Sequence, residues 1–342
     1  MIRTKTTLVV GAGTALELQM PTNADLLSRI AQGFEFVRLG TETETRDNVL
    51  LAGYLSKAAG RLGKGDDDAR LAAERIRQAT KIGRSLDSII DQHDTEPLIA
   101  LCGKLAIVHY VCQGEARSLL RPEPRFAGDL PIQGTDTWLY QLGQLITDGV
   151  PRSRIDQCFN ELTIINFNYD RAIEHFMPFA LNLAFGMTLK EAQQLVAAKL
   201  RIFHPQGAIG RLPWQQSDAP EVEWGTEQPW NIHNLAVQIR SPAETARDQR
   251  NVQAIRGAVA GAKRLVFLGF GYQPQSIDLL IDYSLSHDPE ILASVSDHPK
   301  AIQASIQRVL KRKTGIDRED LVMLVDSRSN DVLRDYSLLL ES

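Results

Sequence analysis

Four short stretches place glycine, polar or titratable residues where a site could form. The first is Leu8-Val9-Val10-Gly11-Ala12-Gly13, which runs on through Thr14 to Pro21 and a segment of helical spacing (Leu16, Met20, Leu26, Leu27, Ile30). A strand that ends in small residues and opens into a helix offers backbone N–H groups to a phosphate. Glycine removes the Cβ atoms that would block close approach, and a helix N-terminus adds partial positive charge. Position 16 is Leu16 rather than the third glycine of the dinucleotide fingerprint, so a tight turn without a ligand reads equally well from this stretch alone. The second stretch, Asn168-Tyr169-Asp170, supplies an amide and a carboxylate, which serve a ligand or form an Asx-turn that caps the next helix. The third is His204-Pro205-Gln206-Gly207, where His204 is either a proton acceptor or a histidine packed at a strand end. The fourth, Gly269-Phe270-Gly271, leads into Gln273-Pro274-Gln275-Ser276, where a ligand-facing loop is expected.

Buried strands must hold these stretches. Short apolar runs at 162–167, 199–203 and 264–268 alternate with helical segments and imply a parallel sheet. Each motif then falls at a strand's C-terminal end, the edge where open α/β sheets bind ligands. The expected fold class is α/β, a Rossmann-like doubly wound parallel sheet. Between about 28 and 155 no β-type alternation occurs. The periodicity predicts helices over 46–63, 66–93, 96–121 and 138–147, with Arg121-Pro122-Glu123-Pro124 ending the third. The domain reading is residues 1–27 plus 156–342 as the α/β domain and 28–155 as a large helical insertion. Residues 297–342 read as a helix, a Lys-Thr-Gly stop, and a run at 321–325 that is either an edge strand or the start of a helix. The loop 211–230 carries Trp214, Trp224 and Trp230, as a lid over a ring or as anchors of a long connection.

Composition excludes several classes. The 342 residues suffice for one or two domains with a sizeable core, and 43% hydrophobic with 23% charged residues is an ordinary globular balance. A net charge of −4 and a pI near 6.0 give no support for direct nucleic-acid binding. No apolar run approaches the roughly 18–20 residues of a membrane span, and Met1 to Thr7 lead into a strand without a leader-like segment. Cys102, Cys112 and Cys158 form no C-x-x-C pair, which suits the cytoplasm and argues against a four-cysteine zinc site. The other histidines have no metal-site spacing.

In this order the four motifs resemble the bacterial sirtuin-like NAD hydrolases, many of which belong to antiphage defence systems. They are less similar to the protein deacylases, whose small module is built on paired C-x-x-C zinc ligands. The resemblance spans nearly the whole chain and implies NAD as substrate or ligand, with no metal. On it, Gly11, Ala12, Gly13, Thr14 and Pro21 would belong to the loop that wraps the pyrophosphate, and Gly269 and Gly271 would lie against the adenosine half. Asn168 would bond the nicotinamide-side ribose or orient water. Asp170 would hold the nicotinamide amide or buttress the loop, and Gly207 would match the glycine after the family's catalytic histidine. Three positions depart from that pattern: Ala15 replaces a serine, Gln19 a glycine, and Gln206 the catalytic histidine itself. Glutamine cannot take a proton at neutral pH. If the strand continues to Gln206, His204 shares its face and could serve as the base, so Asn168 and His204 are the expected catalytic pair. The resemblance further implies NAD or ADP-ribose as partner, and a protein partner or homo-oligomer as activator. The alternative reading is a catalytically silent NAD or ADP-ribose binder acting as a sensor or assembly subunit.

Overall fold

The computed structural model describes residues 1–36, 46–121, 136–296 and 298–342. Six strands form one sheet: β1 (Thr6–Val10), β2 (Leu162–Asn166), β3 (Arg201–Phe203), β4 (Arg264–Leu268), β5 (Glu290–Ser294) and β6 (Val322–Val325). All are parallel, in the order β3-β2-β1-β4-β5-β6, with Leu8 in register with Ile164 on one side and Val266 on the other. β1, β2 and β4 are buried at all five positions, which is why they read as continuous apolar runs rather than alternating ones.

The order fixes where a ligand crevice can open. The chain steps outward from β1 through β2 to β3, then crosses back to lay β4 on the other side of β1. The direction of winding reverses there, so the switch point of the sheet's C-terminal edge lies between β1 and β4. One face of the sheet (Leu8, Val10, Ile164, Val266, Leu268) packs against the helices Trp138–Thr147, Ala172–Phe185 and Leu189–Lys199. The opposite face (Val9, Ile165, Phe267, Ala293) packs against Gln249–Ala260 and Lys300–Thr314.

Between β1 and β2 the helices Asn23–Gly33, Arg46–Arg61, Asp66–Ala79, Leu86–Gln92 and Pro97–Arg117 build a core of their own. That core also includes Tyr169, Ile209, Val222 and Ile232, which lie in the segments after β2 and β3. The helical layer is thus seated on the C-terminal edge of the sheet. Pro97–Arg117 runs through its middle, with fifteen of its residues buried (Ile99 and Cys102 through Glu115). Its length and mean hydropathy of 1.3 would allow a membrane crossing, but 78% of that stretch is covered by the rest of the protein.

Several elements differ in detail from the sequence reading. Gly11 is followed by a 3-10 helix, Ala12–Leu18, and the α-helix waits until Asn23, where Thr22 and Asp25 form a capping box. The expected helix over 66–93 is two, broken after Ala79 and restarted by the Ser85 cap. The central helix ends at Arg117, and the stop assigned to Pro122 and Pro124 lies outside the described residues. Position 27/28, taken as a domain boundary, falls within Asn23–Gly33, whose Leu26 and Ile30 join the helical core. The ambiguous run at 321–325 is an edge strand, β6, and β5 had no assignment from sequence.

Candidate functional site

The two glycine loops at the switch point are packed backbone against backbone. The Gly11 N–H donates to Leu268 O at 2.9 Å, and the Gly13 N–H to Gly269 O at 2.9 Å. A Cβ on Gly11 would stand 2.6 Å from Gly269 O. Gly269 adopts φ +53°, and a Cβ there would fall 2.3 Å from Thr14 N. Only glycine fits either position, because one requires space and the other requires space plus a left-handed backbone. The Thr14 N–H turns back to Gly11 O at 3.1 Å. Three N–H groups of the expected cradle are therefore engaged within the protein, while the Ala12 N–H has no acceptor among the described residues. Gly271 is exposed with open space around its Cα. Pro21 stands apart from the turn, against Gly114 of the central helix, where a Cβ would meet the proline ring at 2.5 Å.

Asn168 links this turn to β2. Its Nδ2 donates to Thr14 Oγ1 at 3.1 Å, and Thr14 Oγ1 donates to Gly11 O at 2.9 Å. Its peptide N–H donates to Asn166 Oδ1 at 3.1 Å. Two polar atoms here are buried without a partner, Asn168 Oδ1 as an acceptor and Asn166 Nδ2 as a donor. Buried polar atoms normally find partners, so this pair is an exception at the turn. Asp170 does the structural work expected of an Asx residue, its Oδ1 accepting the Ala172 N–H at 3.0 Å. Burial pushes its carboxyl up to about 6, against that hydrogen bond.

His204 follows the last residue of β3, so the strand does not continue to Gln206 and the two side chains do not share a strand face. His204 Nε2 lies 2.8 Å from Glu174 Oε1, and Nδ1 lies 3.4 Å from Asn168 O. A carboxylate and a carbonyl only accept, so this setting favours hydrogen on both ring nitrogens of His204. Burial alone would depress its pKa, but the Glu174 carboxylate and the Asn168 carbonyl carry it above the ordinary histidine value. With both nitrogens turned to acceptors within the protein, the ring is poorly placed to take a proton from a ligand. Gly207 has φ +75° and is pressed onto the Gln238 carbonyl, so its glycine serves chain packing.

Three cavities open along this edge. One of about 380 Å³ is lined by Phe167, Gln206, Thr245, Arg256 and Ser276, with Asp91 reaching in from the helical layer. A second of about 640 Å³ includes His204, Glu174 and Trp214. A third of about 440 Å³ has His204, Gly207 and Arg240 in its wall. Gln206 and His204 therefore face different cavities. Asn168, Asp170 and the Gly11–Thr14 turn line none of the three. Of the loop tryptophans, Trp224 is an anchor, stacked on His175 at 4.2 Å with the Arg171 guanidinium 6.0 Å from its ring. Trp214 forms cavity wall, and Trp230 is 92% exposed.

Sequence reasoning passed over Glu174 and Glu115. Glu174 orients His204, and Glu115 forms a fully buried ion pair with Arg171, two residues beyond Tyr169. The signal for both was a carboxylate in an otherwise apolar helix: Glu174 in Ala172–Phe185 and Glu115 near the end of Pro97–Arg117. The helical layer is tied to this edge by further polar contacts: Tyr169 Oη to Asp87, Lys104 Nζ to Glu244 at 2.6 Å, and the Ala243 N–H to Asp91 at 3.1 Å. Among the described residues no cluster of His, Cys, Asp or Glu could hold a metal ion. Neither a protein-family model nor a curated protein matches this chain.

Proposed function

We propose that this chain binds NAD at the C-terminal edge of its sheet, as the sirtuin-like motif order implies, and cleaves it to nicotinamide and ADP-ribose. The observation that carries the reading is the continuity of the four motif loops. Gly269 accepts from Gly13, Thr14 accepts from Asn168, and the Asn168 carbonyl meets His204, so four loops separated by up to 258 positions form one hydrogen-bonded chain. Stable dinucleotide sites on doubly wound sheets use this edge and this reversal of winding. The unpartnered Asn168 Oδ1 and Asn166 Nδ2 supply an acceptor and a donor suited to a ribose or a carboxamide.

Cleavage of an N-glycosidic bond to nicotinamide asks little of an acid, because the leaving group departs as a neutral base. The protein must stabilise positive charge developing on the ribose and place water opposite the departing ring. Asn168 is the residue assigned to that water or to the ribose hydroxyls. His204 is assigned to hold the loops after β2 and β3 together through Glu174 and Asn168 O, in place of the base role expected from the motif alone.

A second reading, a silent NAD or ADP-ribose binder in a sensing or assembly role, is favoured by two observations. Gln206 occupies the position of the family's histidine, and both nitrogens of His204 face acceptors. Incubation of the purified chain with NAD separates the two. The hydrolase reading expects nicotinamide release that Asn168→Ala abolishes. Binding of NAD without release at any protein concentration selects the silent binder.

A further inference from the structure

The cavity of about 380 Å³ has the size and balance of a small-molecule site, an apolar wall with few polar groups. Phe167, Pro242, Ala243, Val252 and Leu279 supply the apolar part from the loops and helices at the sheet's C-terminal edge. Asp91 comes from the helical layer, on Leu86–Gln92. Its carboxyl is held at the wall because Oδ2 accepts the N–H of Ala243, itself a wall residue, at 3.1 Å. Asp91 Oδ1 has no partner among the described residues, and unlike the orphan atoms of Asn166 and Asn168 it is not sealed from solvent. The other charges of the wall are engaged within the protein. Arg256 Nε donates to Leu279 O at 3.1 Å, Nη2 to Asp278 O at 2.9 Å, and Nη1 pairs with Asp282 at 2.7 Å. The Asp278 carboxylate pairs with Lys313 at 2.6 Å. Behind the wall, Lys104 is paired with Glu244 at 2.6 Å, and Asp87, one turn before Asp91, meets the Tyr169 hydroxyl. The remaining polar side chains, Gln206, Thr245, Gln249, Gln275 and Ser276, are uncharged. Asp91 is thus the one wall charge without a counter-ion among the described residues, and an anionic ligand would be repelled by it.

We propose that this cavity binds a small primary amine with an apolar body, of the arylalkylamine type. The ammonium donates to Asp91 Oδ1, and the body lies within the wall that Phe167, Val252 and Leu279 provide. A charge-assisted hydrogen bond is stronger than a neutral one, and carbon buried against carbon leaves water, so the cavity selects charge at one end of the ligand and an apolar group at the other. Such an occupant touches the helical layer through Asp91 and the sheet edge through the rest of the wall, so its binding adds to the contact between them. The Gly11–Thr14 turn, Asn168 and Asp170 lie outside this wall, and the assignment does not rest on the NAD reading.

The test is calorimetric titration of the full chain with phenethylamine, with 2-phenylethanol, which keeps the body and replaces the ammonium by a hydroxyl, and with methylamine, which keeps only the charge. Phenethylamine is expected to bind, and each of the other two to bind about tenfold or more weakly. Asp91→Asn keeps an oxygen for the Ala243 N–H and should bring phenethylamine and 2-phenylethanol to equal affinity. Ala246→Trp, an exposed position of the same wall away from that hydrogen bond, should fill the cavity and abolish binding, which keeps the test open if the Asp91 variant does not fold. The proposal is overturned if phenethylamine fails to bind up to about 5 mM, or if 2-phenylethanol or methylamine binds as tightly. It is equally overturned if Asp91→Asn preserves the preference for the amine or Ala246→Trp leaves binding unchanged. Tighter binding of Nα-acetyl-lysine amide than of phenethylamine would assign the cavity to a lysine of another chain and overturn the small-molecule source. Absence of NAD binding in a parallel titration would remove the NAD reading and leave this one standing.

Discussion

Replacing Gly269 by alanine tests the packed switch point. At φ +53° an L-residue is strained by roughly 1–2 kcal/mol. The added Cβ would lie 2.3 Å from Thr14 N and 2.7 Å from Gly13 C, both backbone atoms that cannot rotate away. Relief requires the two loops to part, at an overpacking cost of about 1–3 kcal/mol. Parting them also weakens the Gly13 N–H to Gly269 O bond, worth about 1 kcal/mol. The sum is a destabilisation of about 3–6 kcal/mol, measured by urea titration followed by circular dichroism. Gly271→Ala is the control two residues away. Gly271 is exposed, has an ordinary φ, and its Cβ would meet nothing within 4 Å, so its change should stay within about 0.5 kcal/mol. If Gly269→Ala and Gly271→Ala unfold at the same urea concentration, the loops are not in the contact described and the argument fails.

Two other changes follow from buried polar groups and a third from the lining of a cavity. Arg171→Ala leaves the Glu115 carboxylate, 1% exposed, without its counter-ion and should cost about 3–5 kcal/mol; the double change Glu115→Leu with Arg171→Met should recover much of it, as measured by the same titration. Burial, opposed by the Tyr169 hydroxyl, pushes the Asp87 carboxyl up to about 6, above its unfolded value, so the stability tied to its neutral form is present at low pH and lost as pH rises through 6. Asp87→Asn should therefore gain on the wild type by about 1 kcal/mol between pH 5 and 7.5, and a flat or falling difference would contradict the burial argument. Gln206→His places an imidazole in the 380 Å³ cavity, and on the hydrolase reading it should raise nicotinamide release about a hundredfold, followed by chromatography of the products.

The sheet was legible where strands are long and buried on both faces. β1, β2 and β4 announce themselves as apolar runs such as Leu8-Val9-Val10 and Leu265-Val266-Phe267-Leu268. β5 did not, since Ile291-Leu292-Ala293 is too short a run to stand out beside Pro289 and Ser294. The helix break near Gly83 was hidden by Ile82, which continues the apolar pattern yet is 90% exposed. At the site, the convergence of the loops could be argued from strand order, but the use of each residue could not. Glycine at 11, 207 and 269 is consistent with a ligand cradle or with backbone contact, and here each meets a neighbouring backbone. Likewise nothing local to His204-Pro205-Gln206 states that the two polar side chains part into different cavities. That depends on β3 stopping at Phe203 and on Glu174, thirty residues away in sequence, drawing His204 to one side.

Titration of ADP-ribose and NAD into the wild-type chain and into Asn168→Ala, by calorimetry, bears most directly on the NAD reading. Asn168 joins the glycine turn to β2 and keeps one buried acceptor free, so its loss should weaken both ligands by about tenfold or more. Saturable binding of NAD to the wild type, reduced in Asn168→Ala while the fold is retained, is the predicted result. No binding of either ligand to the wild type, or binding that Asn168→Ala leaves untouched, would contradict it.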